Sequence, residues 1–61
     1  MKLTIPEIQE LFGSFLEDPT PCRMPEWGPG CGFWVFHCER ARMLVKAEAN
    51  SLYHILYLER R

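Results

Sequence analysis

Between Asp18 and Gly32 the chain carries four prolines and three glycines, in the run Asp18-Pro19-Thr20-Pro21-Cys22-Arg23-Met24-Pro25-Glu26-Trp27-Gly28-Pro29-Gly30-Cys31-Gly32. Proline lacks a backbone donor and fixes φ, and glycine loses the most entropy on ordering, so no helix or central strand runs through such a stretch. The segment divides 61 residues into a short N-terminal part and a longer C-terminal part that must share one core. An irregular connection of this length in a small domain is usually functional or disordered. Met24, Trp27 and two cysteines give it side chains to bury, so the reading is an ordered loop pinned by them.

The N-terminal part reads as a capped amphipathic helix. Thr4 and Glu7 have the T-x-x-E spacing of a capping box, and Pro6 falls in the first turn, where its missing N–H is not needed. Ile5, Ile8, Leu11, Phe12, Phe15 and Leu16 recur at helical spacing, which predicts a helix running on towards Asp18-Pro19. Gly13 weakens it but permits the close approach of a neighbour. The aromatic run Phe33-Trp34-Val35-Phe36-His37-Cys38 reads as a strand, which requires a pairing partner, and the helix has an apolar face to lay on it.

Residues 39–61 admit two readings. As one long helix they place Ala41, Leu44, Val45, Ala49, Leu52, Ile55 and Leu56 on one face, but Glu48 and Glu59 intrude on it. As strands, Met43, Val45, Ala47 and Ala49 alternate, Ala49-Asn50-Ser51 turns the chain, and residues 52–58 return as a third strand. Helix-forming residues outnumber β-branched ones, which tips the reading towards the helix. The expected class is α+β in a single domain, with either a long C-terminal helix or a two-strand continuation of an antiparallel meander.

Seven basic residues nearly balance eight acidic ones, giving a formal charge of −1. That excludes a global basic field for nucleic acid. No apolar stretch approaches the roughly 20 residues needed to span a bilayer, and Lys2, Pro6 and Glu7 interrupt any signal-like start. The expectation is a cytoplasmic chain with no membrane partner, whose thiols stay reduced.

Cys22, Cys31, Cys38 and His54 are the best candidate quartet for zinc, with His37 as a fifth donor, and a domain this small gains from a metal staple. Their spacing lacks the tight C-x₂₋₄-C pairs of zinc sites, and adjacent strand residues His37 and Cys38 point to opposite faces. The expectation is therefore no cofactor, with the cysteines acting as small buried apolar residues. Cys–His pairs for nucleophilic catalysis arise by chance in any such chain, and little room exists for a cleft, so no enzyme is expected. Gly28-Pro29-Gly30-Cys31-Gly32 lacks the spacing and the Lys-Ser/Thr ending of a phosphate loop.

Eight aromatic residues in 61 exceed what so small a core encloses. Trp27, Trp34, Tyr53 and Tyr57 are residues of the kind that anchor interfaces, and Arg40 and Arg42 supply rim charge. The function expected is binding to another protein, as an adaptor, regulator or inhibitor, with a homodimer as one form of that contact. A small phage or mobile-element inhibitor of a host enzyme fits the size. The alternative is a metal-stapled nucleic-acid-binding module, in which Arg40, Arg42, Lys46, Arg60 and Arg61 join the aromatic rings. Glu39, Glu48 and Glu59, interleaved with those basic residues, count against it.

Overall fold

A computed structural model describes residues 1–21 and 32–61. The elements are β1 (Lys2–Leu3), α1 (Ile5–Phe12), β2 (Thr20–Pro21), β3 (Phe33–His37), β4 (Ala41–Ala47), a 3₁₀ turn (Ala49–Ser51) and β5 (Tyr53–Arg60). The strands form one antiparallel sheet in the order β1-β5-β4-β3-β2, with α1 packed on one face. The class is α+β, and the C-terminal half is the strand continuation.

The long C-terminal helix does not form. Residues 41–47 alternate between buried Ala41, Met43 and Val45 and the more exposed Arg42, Leu44 and Lys46, which is the period of a strand covered on one side. A helix would have left the backbone groups of β3 without this partner. Each such loss outweighs the few tenths of a kcal/mol per residue by which propensity favours helix. Here β3 pairs with β4 from Phe33↔Lys46 to His37↔Arg42, and β4 pairs with β5 from Ala41↔Arg60 to Ala47↔Tyr53. The hairpin closes through Glu48 N–H donating to the Leu52 carbonyl at 2.7 Å, with Asn50 and Ser51 both left-handed at φ 62° and 59°. A register shift opposite Leu44/Val45 leaves Leu56 as the extra residue of a β-bulge.

The capping box forms as its spacing implies. Glu7 N–H donates to Thr4 Oγ1 at 3.4 Å, and the Glu7 carboxylate accepts from Thr4 N–H at 2.9 Å. The helix ends at Phe12, however, well short of Asp18. Gly13 takes φ +91°, Ser14 N–H donates to Glu39 Oε1 at 2.8 Å, and Phe15 bridges to Cys38 in the sheet. Leu16, expected on the apolar helix face, is 58% exposed. Past Gly13 the chain meets the β3–β4 turn, and pairing with it replaces the last turns of helix. Thr20–Pro21, expected to be irregular, is a short edge strand against Trp34 and Val35. Proline is tolerated there because an edge strand has a free side.

The core is Ile8 and Phe12 from α1 set on Phe36, Cys38, Ala41, Met43 and Val45 of the sheet, so the helix does cover the aromatic strand. Phe15 and Tyr53 flank Phe36, with ring centroids at 5.0 and 5.3 Å. Among the described residues no helix is long and apolar enough to cross a membrane.

Candidate functional site: the open face of the sheet

Strand alternation sorts every sheet residue to one of two faces. Trp34 and Phe36 of β3, Ala41, Met43 and Val45 of β4, and Tyr53, Ile55 and Leu58 of β5 belong to the face under α1. The opposite face carries no helix among the described residues. Across its middle run Val35, Leu44 and Tyr57, paired in register from β3 to β5. Val35 and Leu44 are half-buried, and Tyr57 is 59% exposed. Leu56, in the bulge beside it, is 43% exposed.

Polar rows border this apolar row. On one side His37, Arg42 and Glu59 are in register. Arg42 Nη2 donates to Glu59 Oε1 at 3.0 Å, and His37 Nε2 lies 3.3 Å from Glu17 Oε1. On the other side Phe33, Lys46, His54 and Lys2 are in register, with Lys46 Nζ 5.8 Å from the centre of the Phe33 ring. His54 Nδ1 sits 3.9 Å from Glu48 Oε1. Both signs of charge are thus present at the rim.

The expected contact residues separate. Tyr57 and Arg42 stand together on the open face. Trp34 and Tyr53 lie on the helix side, partly buried against the core. There they line an apolar pocket of about 200 Å³ with Ile5, Pro19 and Phe36, a lining without a carboxylate, imidazole or thiol. Arg40 is engaged at the C-terminal end of α1, where its N–H donates to the Phe12 carbonyl at 2.8 Å and its Nη2 to the Glu10 carbonyl at 3.3 Å. Trp27 lies outside the described residues, as do Cys22 and Cys31 and the reading of the loop as pinned by its side chains.

Cys38 and His54 are not brought together. Cys38 is fully buried in the core, while His54 is on the open face, on the far side of the sheet. No single ion reaches both. Among the described residues no three His, Cys, Asp or Glu side chains cluster closely enough to hold a metal. Burial pushes the Cys38 thiol up, and the nearby Arg61 charge offsets this only in part, so the group is held as the neutral thiol.

Val35, Leu44, Phe33 and Leu56 are not among the contact residues expected from sequence. The signal for the first two is the alternation itself: once β3 and β4 are strands, the apolar residues out of phase with Phe36 and Met43 face the other side. Comparison of the chain with known protein families, curated proteins and solved structures finds no match.

Proposed function

We propose that this protein acts by binding another protein through the open face of its sheet, as a regulator, adaptor or inhibitor, with Tyr57 at the centre of the contact. The observation that carries this reading is the row Val35–Leu44–Tyr57, an apolar strip on the face that carries no helix among the described residues, ending in a largely exposed tyrosine. Tyrosine supplies a large apolar surface and a polar tip at low entropic cost, which is why it recurs as an anchor where partners meet. The mixed-charge rim of Arg42, Glu59, Lys46 and His54 suits orientation of a partner more than raw affinity. Trp34 and Tyr53 spend their rings on the core and support the face from behind.

The experiment is site-specific photocrosslinking in the native host. A photoreactive residue at position 57 is expected to capture one defined protein, and the same residue at exposed Gln9 on α1 is not. Leu44→Arg should abolish the capture from position 57 while leaving the circular dichroism spectrum unchanged. Equal capture from both positions, or capture that survives Leu44→Arg, overturns the reading.

One observation favours a nucleic-acid role instead: the row Phe33–Lys46–His54–Lys2 sets Lys46 beside the Phe33 ring and Lys2 at its far end. Binding to single-stranded oligonucleotides that weakens with salt supports it, and absence of binding at low salt removes it.

A further inference from the structure

The β4–β5 ladder is regular on both sides of a single residue. Ala47↔Tyr53, Lys46↔His54 and Val45↔Ile55 pair in step, and Leu44↔Tyr57, Met43↔Leu58, Arg42↔Glu59 and Ala41↔Arg60 pair in step beyond them. Leu56 falls between the two runs and has no partner in the register. The faces stay in phase across the gap. Ile55 and Leu58 pack against the core, while His54 and Tyr57 belong to the open face. Without Leu56 the two runs join in one uninterrupted alternation, with every other side chain of β5 on the face it already occupies. Among the described residues, the other ties of β5 fall on either side of Leu56. On one side β1 pairs with Tyr53 and His54, and Ile55 N–H donates to the Met1 carbonyl at 2.9 Å. On the other, Arg61 donates through its N–H to the Arg40 carbonyl and through Nε to the Cys38 carbonyl, both at 3.1 Å. Leu56 itself is exposed and is not one of the residues packed on the core. A bulge interrupts its ladder, and bulges recur beside functional sites, where they re-aim a side chain.

We infer that Leu56 is a contact residue inserted for the partner of the open face, and that with Tyr57 it forms a two-residue anchor for an apolar side chain of that partner protein. The sheet closes without Leu56, so the inserted residue is not explained by the ladder, the core or the ends of β5. What the insertion adds is one more apolar side chain beside the exposed tyrosine. The chemistry of the surroundings selects the occupant. Val35, Leu44, Leu56 and Tyr57 carry no charge, and Arg42 at the border of the strip is already held by Glu59 at 3.0 Å. Such a surface rewards burial of an apolar group and offers a phosphate no free cation along the strip. The role assigned to Leu56 rests on the open-face contact proposed above and names what that contact recognises.

The test is deletion of Leu56 from the full chain, read by circular dichroism, urea unfolding and photocrosslinking from position 57. The expected result is an unchanged spectrum, a urea midpoint no lower than that of the parent chain, and a loss of about tenfold or more in the yield of the crosslink the parent forms. Leu56→Ser keeps the bulge but removes the apolar side chain, and should lose the crosslink to the same extent. Leu56→Met keeps the apolar volume and should retain it. A lowered urea midpoint in the deletion variant overturns the inference, because the bulge is then a requirement of the sheet. Equal crosslinking by the parent, the deletion variant and Leu56→Ser overturns it while leaving the open-face contact in place. No crosslink from the parent chain overturns the open-face contact itself, and the role of Leu56 with it. Binding of a single-stranded oligonucleotide by the parent that is lost on deletion of Leu56 also overturns it, because the anchor then serves a base.

Discussion

Gly13 decides where α1 stops and the sheet begins. Its φ of +91° and ψ of 174° lie in a region that residues with a Cβ essentially do not occupy, and an added Cβ would stand 2.7 Å from the Glu39 Cβ. Gly13→Ala is expected to cost about 1–3 kcal/mol, read as a lowered urea midpoint with an unchanged m-value. At the other end of the helix, the Glu7 carboxylate is held below the usual carboxylate range by the hydrogen bonds from the Thr4 backbone N–H and then from its hydroxyl. A depressed folded-state pKa contributes stability above the unfolded value and loses it as pH falls through the folded one. Glu7→Gln should therefore lower the melting temperature at neutral pH. The gap to the parent chain should close below the ordinary glutamate range. A gap of constant size across that range would show that the carboxylate charge contributes nothing.

The β4–β5 hairpin is the element on which the fold depends, and its turn is built at some cost. Asn50 and Ser51 both hold positive φ. Asparagine visits that region readily, but serine is strained there by about 1–2 kcal/mol. Ser51→Gly relieves this strain and gives back part of it as unfolded-chain entropy, so it should stabilise the protein by up to about 1 kcal/mol. Chemical denaturation checks this, and a loss of stability would show that the Ser51 side chain contributes to the turn. The strand reading places the turn at Ala49-Asn50-Ser51, where it forms, but with neither glycine nor proline there the sequence has no signal that favours a turn over a continuous helix. The residues of β4 and β5 include good helix formers, and the alternation that marks β4 breaks at Leu56 in β5, where the bulge inserts one residue. The capping box, by contrast, is a local device whose two partners are three residues apart, and it could be read directly.

At the scale of the whole molecule the core is small, and its layers are one helix and one face of a sheet. Typical stability of about 0.05–0.15 kcal/mol per residue gives a domain of this length about 3–9 kcal/mol. Phe36 is fully buried between Phe15, Tyr53 and the helix, and Phe36→Ala is expected to cost about 3–5 kcal/mol, enough to unfold much of the population. Tyr57→Ala, on the open face, should cost less than about 1 kcal/mol and leave a cooperative thermal transition by circular dichroism. Equal losses from the two variants would mean that the open face is structural rather than available to a partner. The capped start of α1, the aromatic strand β3, the α+β class and the near balance of charge are all legible in the residues alone. Each of these follows from neighbouring residues or from composition. That residues 41–47 and 53–60 are strands, that α1 stops at Gly13, and that Tyr57 and Arg42 share a face from which Trp34 and Tyr53 are turned away emerge only from the packed fold. Those outcomes depend on which backbone groups find partners across the sheet. That is a non-local balance, in which β3 needing β4 outweighs the helix preference of the residues that make β4.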